Sequence, residues 1–95
     1  MGNITIVGAE HYFGTDIFRV DQIVYLVKDV TNEYDEEAIK VVLDTGVSVG
    51  YVANSVFSKA KGTKSAGRLY DAIKDKRPAK ILFIVKGIAI AKVEE

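Results

Sequence analysis

The chain has 95 residues, with 13 Lys and Arg balanced by 13 Asp and Glu, 48% apolar residues and no Cys. These values suit one globular domain, residues 1–95, with one core and little room for a deep pocket. They exclude a disulfide framework, a thiol nucleophile and a thiolate metal site. His11 is the single histidine, which excludes a His-rich metal centre or a pair of catalytic histidines within one chain.

No apolar run approaches the ~20 residues of a membrane span. The first residues lack the basic start and long apolar stretch of a signal peptide, so a cytoplasmic location without a membrane partner is expected. The neutral total hides an asymmetry. Residues 1–58 carry three basic and nine acidic side chains, and residues 59–95 carry ten and four. A basic half suits phosphates, and opposed halves suit a homo-oligomer; if the halves interleave in the fold, the charges mix instead.

Asn3 to Gly8 reads as a first strand, β-branched and apolar. His11, Tyr12 and Phe13 follow as an aromatic cluster, and Gly14-Thr15-Asp16 signals a turn. Gln22 to Lys28 is a second strand, too continuously apolar for its faces to be assigned. Asp29 to Glu37 is a polar loop. Ala38 to Leu43 is a third strand, and Asp44-Thr45-Gly46 marks a hairpin in which Gly46 takes the left-handed position. Val47 to Ala53 returns as a fourth strand, and Gly50 within it signals a bulge or a close backbone approach.

Asn54 is placed to cap a short helix through Lys61, ended by Gly62. A second helix starts at Thr63 or Ser65, with Ala66, Leu69, Tyr70 and Ile73 on one apolar face, and Pro78 closes it. Ala79 to Val93 is the last β segment, either two strands or one strand bent at Gly87. Short strands without alternating long helices indicate a mainly β chain and a small barrel.

Val7-Gly8 with Tyr12 and Gly14, then Asn32-Glu33-Tyr34-Asp35-Glu36-Glu37-Ala38-Ile39-Lys40-Val41, then Val49-Gly50-Tyr51-Val52, resemble the HIRAN domain. The match is good from Ile4 to Phe57 and general beyond. The resemblance implies an OB-like (modified OB) β-barrel of about six strands, with two short helices before the last β segment. It implies a domain found in fork-remodelling DNA translocases and in short bacterial proteins, alone or beside nuclease and helicase domains. It also implies binding of single-stranded DNA and recognition of a free 3′ DNA end, in the service of DNA repair or processing.

Carried onto this chain, the resemblance makes Tyr34 a base-stacking ring and Asp35 the acceptor for a 3′-hydroxyl. Asn32 contacts a base edge or holds the loop, and Tyr12 flanks the nucleotide. His11 takes the place of a tyrosine in the eukaryotic translocases. Glu10 stands where those carry an arginine, Glu33 where a proline often precedes the Tyr, and Tyr51 and Asn54 where a histidine and a lysine face phosphate.

Single-strand binding needs aromatic platforms and cations. Tyr12, Phe13, Tyr34 and Tyr51 are the candidate rings. Lys59 and Lys61 lead the candidate cations in a basic second half. Glu10, Glu33, Asp35, Glu36 and Glu37 oppose phosphate near the loop, but a carboxylate favours a terminal hydroxyl, which donates a proton. Structural roles stand beside these. Tyr34 packs over the barrel end; Asn32 and Asp35 bond backbone N–H groups; His11 is a half-buried strand-end residue; Phe13 and Phe57 are core; Lys59 to Lys64 is a solvated segment.

No phosphate-binding glycine loop or Ser/His/Asp set is present, so a non-catalytic module without cofactors is expected. The alternative is a protein-interaction or self-association domain.

Overall fold

In a computed structural model, which describes residues 2–55 and 58–94, six antiparallel strands close into a barrel in the order β1-β4-β3-β2-β5-β6. The strands are β1 (Gly2–Val7), β2 (Ile23–Lys28), β3 (Ile39–Val42), β4 (Ser48–Val52), β5 (Arg77–Val85) and β6 (Ile88–Val93). Period-2 alternation sends Ile4 and Ile6 of β1, Val24 and Leu26 of β2, and Ile39 and Val41 of β3 into one buried cluster. Ala79, Ala89 and Ala91 face the same interior, where small side chains let a narrow barrel close.

The turns follow local chemistry. Gly46 has φ 89°, and its N–H bonds Leu43 O at 2.9 Å, as the hairpin signal required. Lys86 (φ 44°) and Gly87 (φ 86°) form a two-residue turn, so the last β segment is a hairpin of two strands. At Gly50 the expected close approach is real. A Cβ there would lie 2.9 Å from both Ile6 Cγ2 and Val7 O.

Helix α1 (Ala66–Leu69) and the 3-10 turn Tyr70–Ala72 follow the long connection after β4. Ala66, Leu69 and Ile73 join the core and Tyr70 packs against it, which is the apolar face read from the sequence. Pro78 does not end the helical segment; it lies inside β5, opposite Tyr25.

The expected helix over 54–61 does not form at its described residues. Ser58 N and Lys59 N both bond Ser55 O in a turn. The physical reason is Thr5, fully buried on β1. Its Oγ1 accepts from Ala60 N at 2.9 Å and meets Thr63 Oγ1 at 2.8 Å, pinning the segment to the barrel in a non-helical path. Val56 and Phe57 lie outside the described residues, and so does the expectation that Phe57 is core.

Candidate nucleic-acid interface

The loop between β2 and β3 is shaped by its own side chains. Asn32 Oδ1 accepts from the N–H groups of both Tyr34 and Asp35, each at 2.9 Å. Asp35 Oδ1 accepts from Glu37 N at 2.9 Å, and its Oδ2 accepts from Asn54 Nδ2 at 3.1 Å. Asn54 Oδ1 in turn accepts from Gly67 N at 2.7 Å. Two side chains therefore tie the loop to the β4–α1 connection and to α1. A Cβ at Gly67 would lie 3.1 Å from Asn54 Oδ1, so glycine gives that amide room to reach the backbone. Asn32 and Asp35 do bond backbone N–H groups, while Tyr34 packs on nothing: it stands 96% exposed on the braced loop.

A ring pair lies beside the loop. Tyr12 ends the 3-10 turn Ala9–His11, and its ring centroid is 6.4 Å from that of Tyr51, at 40°. The Tyr51 hydroxyl donates to Asp29 Oδ2 at 2.7 Å, and Asn32 Nδ2 makes a long contact of 3.4 Å to the same oxygen. The Tyr51 hydrogen bond holds the Asp29 carboxyl below its ordinary range. The same bond, then burial, then the neighbouring Tyr12, push the Tyr51 phenol up.

Tyr12, Tyr51, Asn32, Asp35 and the backbone of Tyr34 thus form one connected set, with Asp29 at its centre. Asp29 bonds Thr31 and Asn32 locally, but the partner that places it at this centre, Tyr51, is 22 residues on. Only the β2–β3–β4 register brings them together.

The other expected residues are placed differently. His11 is not half-buried: its side chain is 78% exposed, with Nε2 4.0 Å from Glu10 Oε2. A 3-10 turn directly after β1 lifts it off the barrel. Phe13 is 58% exposed rather than core, because the chain turns at Gly14 before its ring reaches the interior. Lys59 is half-buried and Lys61 exposed, and neither is joined to the set around Asp29; Lys61 lines a separate cavity with Phe83.

Lys40, opposite Tyr51 in the β3–β4 ladder, adds a small downward pull on Asp29. Lys28 Nζ stands 4.3 Å over the Tyr70 ring. Each Asp35 oxygen accepts one bond within the protein and keeps lone pairs for a further donor. The arrangement therefore offers exposed rings and hydrogen-bond acceptors. Among the described residues no three His, Asp or Glu side chains come together to hold a metal.

The HIRAN domain description matches residues 1–83. No curated protein sequence matches the chain. Among solved structures, a protein from Lactobacillus plantarum superposes with a TM-score of 0.70 at 18% identity, covering 98% of this chain and 89% of that one. The HIRAN domain of human HLTF superposes at 0.66 with 22% identity, covering 96% of this chain and 72% of that one. Both likenesses concern the fold alone. With the family match spanning β1 through most of β5, the chain belongs to the HIRAN domain family, generally nucleic-acid-binding modules of DNA repair and remodelling proteins.

Proposed function

We propose that this chain binds single-stranded DNA at a free 3′ end, using Tyr34 and the Tyr12–Tyr51 pair as platforms and Asp35 as acceptor for the terminal hydroxyl. The observation that carries the reading is Tyr34, a large ring held 96% in solvent on a loop that Asn32 and Asp35 brace. An exposed aromatic on a pre-ordered loop loses little entropy when a base stacks on it. The surrounding Glu33, Asp35, Glu36 and Glu37 disfavour internal phosphates and suit the one part of a strand that donates a proton.

Fluorescence anisotropy of a short labelled strand at low salt tests this, comparing a 3′-hydroxyl with a 3′-phosphate. Tighter binding of the hydroxyl end is expected. Tyr34→Ala should weaken it by roughly 5- to 150-fold, from ~1–3 kcal/mol per base–aromatic stack, with no change in melting temperature. Equal binding of both ends, together with an unaffected Tyr34→Ala protein, would refute the assignment. Asp35→Ala is a poorer test, because it also removes the bonds to Glu37 and Asn54.

A further inference from the structure

The outer face of β1, β5 and β6 carries a second constellation. Core-facing Ile4, Ile6, Ala89 and Ala91 leave Thr5 and Ile90 on the outside, opposite one another in the ladder. On β5 the alternation changes phase. The register shifts between Ile81 and Phe83, so Ile84 packs on the core while Phe83 and Val85 stand 49% and 44% exposed. Counting by twos from Ala79 and Ile81 would have sent Phe83 inside; the ladder irregularity turns it out. The segment 60–63, held down by Thr5, overhangs the same face. Together they line an open groove of about 400 Å³ in which Phe83, Val85, Ile88 and Ile90 form an apolar wall and Asn3 and Lys61 also take part.

Cations border this wall. Lys80 and Lys92 are directly opposite each other on β5 and β6, and Lys92 is also opposite Asn3. Lys92 follows Ile90 by two residues, on the same face. The Lys64 side chain lies against Gly2 at the start of β1. Among the described residues, no ion pair joins Lys61, Lys64, Lys80 or Lys92 to an acid. Like charges set directly across a ladder are destabilising when nothing neutralises them.

We infer that this face is a docking site for an acidic peptide segment of a partner protein, anchored by branched-aliphatic or aromatic side chains. The six strands close on themselves, so a partner cannot add a strand to a free edge and must be held through side chains. Three of the four wall residues are aliphatic, which suits apolar side chains. A single nucleic-acid strand needs successive aromatic platforms, and here Phe83 is alone. Carboxylates flanking the anchors neutralise the lysine rim. The inference uses none of the loop and ring residues of the proposed DNA site, though Lys61 is also a candidate phosphate cation, and it does not rest on that reading.

The test is anisotropy at low salt with a fluorescein-labelled peptide of consecutive Asp and Glu residues followed by Ile-Leu-Phe. A comparator carries Lys in place of each acid, and oligo(dT) serves as the nucleic-acid probe. The acidic peptide should bind with Kd on the order of 10–100 μM, and the basic comparator should not bind measurably. Phe83→Ser should weaken the acidic peptide about 5- to 10-fold. Lys61→Glu combined with Lys92→Glu should weaken it about tenfold, with a melting temperature no lower than the parent's, since Lys92→Glu also relieves the repulsion with Lys80. Equal binding of both peptides, or affinity unchanged in Phe83→Ser, overturns the proposal. Binding of oligo(dT) but not peptide, lost in Phe83→Ser, gives the face to nucleic acid and overturns it too. So does concentration-dependent self-association in sedimentation that Phe83→Ser abolishes, which gives the face to a second copy.

Discussion

Tyr51→Phe deletes one hydroxyl and cuts the contact between the ring pair and the β2–β3 loop. The lost bond is 2.7 Å long and has a carboxylate as acceptor. Bonds to charged groups are worth ~1.5–3 kcal/mol when well buried. Both partners here are only half-buried and water replaces part of the interaction, so about 1 kcal/mol is expected at neutral pH. For a chain of 95 residues the unfolding entropy is ~0.2 kcal/mol/K, and the melting temperature should fall by about 5 °C.

The pH dependence carries a sign that can be checked. The Asp29 carboxyl is held below its ordinary 3.8, chiefly by the Tyr51 hydroxyl. A lowered carboxyl contributes stability above the unfolded value, and that contribution is lost as pH falls through the folded value. The gap between parent and variant should therefore close in acid. At the alkaline end the raised Tyr51 phenol contributes fully below its ordinary 10.0, and this is lost as pH rises further. Carboxyl carbon NMR titration of Asp29 is the direct assay. In the variant its midpoint should rise part of the way to 3.8, because bonds from Asn32 and Thr31 remain. An identical Asp29 midpoint in both proteins, with no change in melting, would refute this account of the contact.

Asn32→Ala removes the acceptor shared by the Tyr34 and Asp35 N–H groups. Those two amides should exchange hydrogen faster, and stability should fall by about 1 kcal/mol, with water replacing part of each bond. Gly50→Ala forces a Cβ to 2.9 Å from Ile6 Cγ2 and from the Val7 carbonyl. Chemical denaturation should show a loss of ~1–3 kcal/mol from overpacking at a backbone that cannot yield freely.

Much of the architecture was legible in the chain because it is written locally. The Asp44-Thr45-Gly46 turn, the apolar face of Ala66, Leu69, Tyr70 and Ile73, and the alternation of β1 and β3 each depend on residues a few positions apart. The stretch from Asn32 to Val41 identified the loop and its family for the same reason. Asn32 reaches N–H groups only two and three residues ahead.

What tertiary structure alone decided depends on pairing across long stretches of chain. The β3–β4 register carries Tyr51 to Asp29, and the chain path beyond β4 carries Asn54 to Asp35. A buried threonine on β1 overrides the helical signal of a segment some 55 residues later. On β5, a ladder irregularity that no local pattern records turns Phe83 from the core to the surface. Periodicity specifies which residues alternate, but the partner strand decides where the alternation changes phase, and so which side chains a ligand can meet.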